Sequence, residues 1–153
     1  MSLKEKIRED MKAAFKAGDS AVRGTLNMLL SVIQNREIEK RTRTGESELT
    51  DEETVASIQT EIKKRKDAAA QYESAGRADS AAAERAEAGV LMRYMPEQLS
   101  EDEVKRLIAD AISATGASGA KDQGRVMGQV APKIKGKFDG ARLGELVAQA
   151  LAS

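Results

Sequence analysis

The sequence predicts an all-α protein, in which an N-terminal bundle or hairpin of about four helices precedes a small C-terminal three-helix domain. Three observations lead to this prediction. Apolar residues recur at helical spacing through most of the chain, and no stretch alternates with a period of two between turn signals. The 153 residues also include only two prolines, so long helices can run without interruption.

The first two helices are predicted from their apolar stripes. The first stripe consists of Leu3, Ile7, Met11, Ala14 and Phe15. The second consists of Val22, Leu26, Leu29, Leu30 and Ile33. We expect the first helix to end at Gly18, and the second to continue to about Arg41. The polar segment that follows, residues 42–49, contains Gly45 and is predicted to be a loop.

The third helix is predicted to begin at a capping box, since Thr50 and Glu53 have the spacing of an N-cap and N3 pair. Its apolar face consists of Val55, Ile58, Ile62, Ala69 and Tyr72. We expect Gly76 to break it. A fourth helix is then predicted over residues 79–95, with Ala83, Val90, Leu91 and Tyr94 facing inward.

The domain boundary is predicted just after the fourth helix, with domains at residues 1–96 and 97–153. Pro96 disfavours the α conformation of the residue before it, and Ser100 with Glu103 forms a second capping box. Residues 116–153 carry a net charge of +3, so residues 1–115 carry −3 in a chain of zero net charge. Three C-terminal helices are predicted. The first begins after the N-cap Ser100, the second spans residues 122–133 and the third spans residues 140–152.

Composition excludes several kinds of active site. With no Cys and no His, the chain has no thiol nucleophile, no disulfide and none of the usual zinc ligands. No phosphate-binding loop and no dinucleotide fingerprint is present, and the paired carboxylates lie at helix caps or on exposed faces. We therefore predict no catalytic residue, no metal and no cofactor. The N-terminus has no secretory apolar region and no segment is long enough to span a bilayer, so we expect a cytoplasmic protein without membrane contact.

Two basic segments are candidates for binding a polyanion. Lys63, Lys64, Arg65 and Lys66 follow one another inside the third helix. Four consecutive side chains cover most of a helix circumference, so two of them must point sideways or pack their stems on neighbours. A solvated face balanced by nearby carboxylates is the ordinary interpretation of such a run, and a polyanion contact is the alternative.

The second basic segment lies at the junction of the last two helices. Lys133, Lys135 and Lys137 alternate there with Ile134, Gly136 and Phe138, and Asp139 is placed to cap the final helix. Lysines beside a helix N-terminus are natural partners of phosphates, while Gly136 allows a close backbone approach. A basic surface turn with a good N-cap explains the same residues equally well.

The chain resembles the YqeY family in two blocks. The stretch EIKKRKDAAAQYESAGRADSAAAERAEAGVLMRYMPEQLS spans residues 61–100, and GRVMGQVAPKIKGKFDGARLGELVAQAL spans residues 124–151. The second block also looks like the C-terminal domain of the B subunit of tRNA-dependent amidotransferases. The linker MPEQLS and the turn KIKGKFDG are the most specific parts of the resemblance.

The resemblance implies a two-part helical fold and an association with tRNA. In the amidotransferases this C-terminal domain holds tRNA, and YqeY-like domains are also found fused to a glutaminyl-tRNA synthetase. The positions that match the family motif are Lys133, Lys135, Gly136, Lys137 and Asp139, with Arg125 and Gly128 in the preceding helix. From the motif and the basic segments together we predict that nucleic acid is bound by Arg125, Lys133, Lys135, Gly136, Lys137 and Arg142, with Lys63, Lys64, Arg65 and Lys66 as a secondary basic patch. The implied function is a tRNA-binding accessory module, possible protein partners being amidotransferase subunits or an aminoacyl-tRNA synthetase.

Two alternative functions stay open. One is an accessory component of glutamine-dependent tRNA amidation, a carbon–nitrogen ligase reaction that separate catalytic subunits would perform. The parts of the amidotransferase that bind ATP and magnesium are absent, so the ligase label does not imply activity of this chain alone. The other alternative is a helical protein–protein adaptor. A cluster of Lys133, Lys135, Lys137 and Arg125 favours a polyanion, whereas an exposed apolar groove favours a partner helix.

Overall fold

A computed structural model describes all residues, Met1–Ser153, and confirms the all-α prediction: there are seven α-helices and no strand. They are α1 (Leu3–Ala17), α2 (Ser20–Thr44), α3 (Asp51–Ser74), α4 (Ala78–Met92), α5 (Glu101–Thr115), α6 (Gln123–Ile134) and α7 (Gly140–Ala152). A short 3₁₀ turn, Ala120–Asp122, precedes α6. None of the helices combines the length and the apolar character required to cross a bilayer. The chain divides into two compact units, Met1–Met95 and Pro96–Ser153.

Both predicted capping boxes form. Thr50 accepts a hydrogen bond on Oγ1 from the Glu53 N–H at 3.1 Å, and Glu53 Oε2 accepts one from the Thr50 N–H at 2.8 Å. Ser100 and Glu103 make the same pair of bonds at the start of α5. A third box at Ser2 and Glu5, which the sequence analysis missed, begins α1 with the same spacing. Each box satisfies two backbone N–H groups that a helix start leaves without partners.

The loop between α2 and α3 is held by the buried side chain of Lys40. Its Nζ lies 2.7 Å from Glu53 Oε2 and 3.0 Å from Glu46 Oε2, and it donates to the Glu48 carbonyl at 2.9 Å. The hydrogen bond from Lys40, with that from the Thr50 N–H, lowers the pKa of Glu53. One carboxylate thus caps α3 and anchors the end of α2.

Two predicted helix ends differ from the structure. Helix α2 continues to Thr44, beyond the predicted end at about Arg41, because Gly45 provides its left-handed C-cap with φ 83°. Helix α4 ends at Met92 rather than at residue 95. The next three residues, Arg93, Tyr94 and Met95, each donate to the carbonyl three positions earlier, which tightens the chain before Pro96.

The core of the N-terminal unit is aliphatic with one tyrosine. It consists of Ile7, Leu26, Leu29, Ile33, Ile58, Ile62, Val90, Leu91 and Tyr94. The predicted burial of Ile58, Ile62, Val90 and Leu91 is confirmed. Tyr94 donates its hydroxyl hydrogen to Asp10 Oδ2 at 2.7 Å, and burial together with this carboxylate raises the pKa of Tyr94.

Two residues placed on apolar stripes by the sequence analysis are exposed instead. Phe15 is 62% exposed, and Ala83 is exposed while Ala81 and Ala88 are buried. Phe15 lies about 80° around the helix from Ile7, at the border of the stripe. It is also in the last turn of α1, three residues before Gly18, where Arg23 of α2 lies over one face of its ring.

The C-terminal unit has its own core, formed by α5, α6 and α7. Its buried residues are Val104, Ile108, Ala111, Val126, Val130, Ile134, Leu143, Leu146, Val147 and Leu151. Leu99 and Phe138, each partly buried, pack against this core from the segments that precede α5 and α7. The linker and the α6–α7 turn therefore contact the same apolar cluster.

We expect Leu91→Ala to reduce the free energy of unfolding by about 2–5 kcal/mol, because Leu91 is fully buried and its truncation leaves a cavity. Urea unfolding followed by circular dichroism measures this change. The control is Ile38→Ala, at a position 57% exposed on α2, which should stay within about 0.5 kcal/mol of the parent. Equal losses for the two variants would contradict the assignment of Leu91 to the core.

Candidate nucleic-acid interface

The turn between α6 and α7 has a backbone fixed by hydrogen bonds. Lys137 and Phe138 both donate their N–H groups to the Ile134 carbonyl, at 2.8 and 3.1 Å. Gly136 has φ 76°, a left-handed conformation that side-chain-bearing residues adopt with strain. The glycine therefore allows the chain to reverse direction directly after α6.

The linker before α5 holds this turn from outside. Gln98 donates from Nε2 to the Gly136 carbonyl at 2.9 Å, and the Leu99 N–H donates to the Lys137 carbonyl at 2.9 Å. Neither residue was predicted to have a positioning role. The only sequence signal was that both belong to the MPEQLS segment. The partners are 38 residues apart along the chain, a distance at which local patterns give no information.

The three lysines of the turn are exposed cations without ion-pair partners. Lys133, Lys135 and Lys137 are all exposed, and none forms an ion pair. Gly136 between them is buried and its carbonyl is occupied by Gln98, so it shapes the turn from inside. Ammonium groups without a carboxylate partner are available to an anionic ligand.

The two predicted arginines are engaged with carboxylates. Arg125 Nη2 lies 2.8 Å from Asp122 Oδ1, and Arg142 contacts Glu101 at 2.6 Å and Glu145 at 2.8 Å. The Ser118 N–H and the Arg125 guanidinium lower the pKa of Asp122, and the bond from Arg142 lowers that of Glu101. Both arginines are thus locally neutralised.

The N-terminus of α7 is occupied by its own cap. Asp139 Oδ1 accepts a hydrogen bond from the Ala141 N–H at 3.4 Å, as the sequence predicted. A carboxylate at this position already interacts with the positive end of the helix dipole. The anion-binding capacity of the turn therefore lies in its lysines and not in the helix end.

The basic run on α3 divides into exposed lysines and one buried arginine. Arg65 is only 6% exposed. Its Nη1 lies 3.0 Å from Glu61 Oε2, and its Nε lies 3.1 Å from Glu87 Oε2 on α4. Nη2 contacts the Met28 sulfur of α2 at 3.3 Å. Arg65 thus ties three helices together and is not accessible to a polyanion.

The other members of this run lie at the surface. Lys63 and Lys66 are exposed and form no ion pair, and Lys64 contacts Glu61 at 3.1 Å. Burial alone would raise the pKa of Glu61, but the hydrogen bonds from Arg65 and Lys64 outweigh it and lower that pKa. The carboxylate is therefore ionised at neutral pH as the partner of Arg65.

The structure contains no group of three or more carboxylates close enough to hold a metal ion. It does contain a groove of about 380 Å³ between α5 and α7, with Ile108, Ile112 and Leu146 among its lining residues and Lys105 at its side. The adaptor interpretation requires an exposed apolar groove, and here Ile108 and Leu146 are buried in the core while Ile112 is partly exposed.

A family model described as Yqey-like protein matches residues 4–151, which is nearly the whole chain. No curated protein sequence matches the chain.

We expect Arg65→Met to reduce the free energy of unfolding by roughly 3 kcal/mol, because Glu87 loses its partner and the buried Glu61 keeps only Lys64. Lys66→Met is the matched control, since Lys66 is exposed and unpaired; it should change stability by less than about 0.5 kcal/mol. Chemical denaturation measures both. If the two variants are equally stable, Arg65 does not link the helices as described.

Acidification should destabilise the protein. The pKa values of Glu61, Glu101 and Asp122 are lower in the folded chain than their ordinary values, so the stability they contribute is present above those ordinary values. It is lost as pH falls through the folded pKa values, that is, below about pH 4.5. Urea unfolding at intervals from pH 7 to pH 3 measures this loss. Arg142→Gln should make the fall shallower, because it returns Glu101 towards its ordinary pKa, and an unchanged profile would argue against that ion pair.

Proposed function

The chain belongs to the YqeY family, and from this premise we propose that it is a tRNA-binding accessory module that acts in the cytoplasm. One observation carries the proposal: Lys133, Lys135 and Lys137 are exposed and unpaired on a turn whose backbone is fixed by hydrogen bonds. The resemblance of this turn to the C-terminal domain of the amidotransferase B subunit supports the choice of tRNA as the ligand.

The chemistry of these residues favours phosphates over bases. Lysine presents a compact charge with three donors and has no planar fork to match a base edge. The two arginines that could read a base, Arg125 and Arg142, are held by Asp122, Glu101 and Glu145. We therefore expect the module to recognise the shape of a folded RNA through its phosphate backbone, with little dependence on sequence.

The N-terminal unit has the smaller part in this proposal. It serves as a scaffold, and its exposed Lys63, Lys64 and Lys66 form a secondary contact surface. Arg65 is left out of that surface because it is buried against Glu61 and Glu87. A module of this kind could act alone or beside amidotransferase subunits or an aminoacyl-tRNA synthetase.

A second candidate function rests on the groove between α5 and α7. Of its three large apolar lining residues only Ile112 is partly exposed, since Ile108 and Leu146 belong to the core, so the adaptor alternative would rest on a small apolar surface. Crosslinking RNA to the protein in cells and sequencing it separates the candidates. Enrichment of tRNA over ribosomal RNA supports the module, whereas co-purification of amidotransferase subunits without RNA supports an accessory role in amidation.

We expect the triple variant Lys133→Ala, Lys135→Ala, Lys137→Ala to bind labelled bulk tRNA about 10-fold more weakly or worse. Each phosphate contact releases condensed counterions, so the log–log dependence of affinity on salt should become shallower by about two to three contacts. Fluorescence anisotropy across a salt series measures both quantities. Folding should be retained, because the three side chains are exposed and make no ion pair.

The matched control replaces Lys63, Lys64 and Lys66 by Ala, which removes the same charge from α3. If the α3 surface is a secondary contact, this control should lose less affinity for tRNA than the triple variant of the α6–α7 turn does. Equal affinity and an unchanged salt slope in a folded triple variant of the turn would exclude the turn as the principal contact with tRNA.

A further inference from the structure

Phe15 is the one aromatic residue that the fold leaves exposed. The ring lies in the last turn of α1 and is 62% exposed, whereas Tyr94 is buried and both Tyr72 and Phe138 are partly buried. Arg23 of α2 sits over the ring, with its guanidinium carbon 4.5 Å from the ring centroid. An arginine on one face and open solvent around the rest make this ring a stacking surface.

Cations line the same side of α1. Arg8, Lys12 and Lys16 are spaced four residues apart, so they follow one side of the helix, and Phe15 lies at the border of that side, about 60° around the helix from Lys12. All three, like Arg23, are exposed and form no ion pair. We name Arg8, Lys12, Phe15, Lys16 and Arg23 the α1 stripe.

Two carboxylates border the α1 stripe without neutralising it. Glu5 accepts the Ser2 N–H at 2.8 Å as part of the capping box and keeps its negative charge. Glu9 is exposed, so the two carboxylates reduce the local charge from +4 to +2. The stripe therefore stays cationic around its ring, within a chain whose total charge is zero.

We propose that the α1 stripe binds a single-stranded segment of nucleic acid, with an unpaired base stacked on Phe15 and phosphates facing Arg8, Lys12 and Lys16. An exposed aromatic ring between unpaired cations is the combination that single-strand binding uses, since every base has a π-face and every linkage a negative charge. The inference extends the proposed function from phosphate contacts in the C-terminal unit to a second site in the N-terminal unit.

The geometry favours nucleic acid over a membrane surface. The apolar face of α1 is turned inward, with Ile7 and Ala14 buried, so a single ring is the only large apolar group that the stripe presents. An interfacial helix needs a broad apolar face to insert among lipid chains. Stacking, in contrast, requires only one accessible ring for each base.

The test uses two labelled probes, a 12-nucleotide oligouridylate and a 12-base-pair RNA duplex, in anisotropy titrations at low salt. Phe15→Leu keeps an apolar side chain but removes the π-face, so affinity for the oligouridylate should fall about tenfold while affinity for the duplex stays unchanged. Ile38→Ala is the matched control, because Ile38 is also exposed on the N-terminal unit, at 57%, but has no ring. It should bind both probes as the parent does.

Lys12→Gln with Lys16→Gln tests the cationic part of the stripe. This variant should bind both probes more weakly, and its salt slope should be shallower by about two contacts. An unchanged oligouridylate affinity in folded Phe15→Leu overturns the proposal. So does stronger, Phe15-dependent binding to vesicles containing one-fifth phosphatidylglycerol than to the oligouridylate, which would assign the stripe to membranes.

The triple lysine variant of the α6–α7 turn separates this proposal from the proposed function. It should lose affinity for tRNA and keep most of its affinity for the oligouridylate, since the α1 stripe is intact. The stripe proposal does not require that Phe15→Leu, as a single variant, also loses affinity for tRNA. If the oligouridylate does not bind the parent protein while tRNA does, the stripe proposal fails and the proposed function stands.

Discussion

The architecture depends on how the backbone groups at the helix ends find hydrogen-bond partners. Each α-helix leaves four N–H groups and four carbonyls unpaired at its ends, and this chain has seven helices. Side chains at Ser2, Asp19, Thr50, Ser100 and Asp139 accept from the first turns. Gly18, Gly45 and Gly116, all in the left-handed conformation, are the C-caps of α1, α2 and α5. With these ends fixed, small aliphatic cores are enough to hold each unit.

The same requirement connects distant parts of each unit. Near the end of α2, Lys40 contacts Glu53, whose carboxylate also caps α3, and it contacts Glu46 and the Glu48 carbonyl, so one side chain holds the loop at several points. In the C-terminal unit, Gln98 and Leu99 donate to the α6–α7 turn just before Ser100 caps α5. The linker therefore has two functions: it begins one helix and holds the turn between two others.

Local signals explain why much of the fold could be predicted from the sequence. A capping box needs only residues three apart, and an apolar stripe only residues three or four apart, so Thr50, Ser100 and the buried Ile58 and Leu91 were predicted correctly. The end of α4 was wrong because the prediction extended the helix up to Pro96, and the tightened turn at Tyr94 and Met95 has no sequence pattern of its own.

The parts of the candidate site that escaped prediction depend on contacts across the fold. Arg65 belongs to a basic run, but its burial is set by Glu87 and Met28, which lie 22 and 37 residues away in the chain. Phe15 fitted the apolar spacing of α1, yet its ring stays 62% exposed and meets the guanidinium of Arg23 on α2 instead of an apolar neighbour. Spacing along one helix tells which side a residue is on; it does not tell what lies opposite.

The fixed backbone of the α6–α7 turn has a thermodynamic consequence, because little chain entropy is left there for a ligand to remove. The cost of ordering falls instead on the three lysine stems, each of which loses up to about 2 kcal/mol of rotamer freedom when held in one position. Long, mobile stems on a rigid base can meet phosphates in several arrangements, so the turn accommodates variation in its ligand rather than selecting a single geometry.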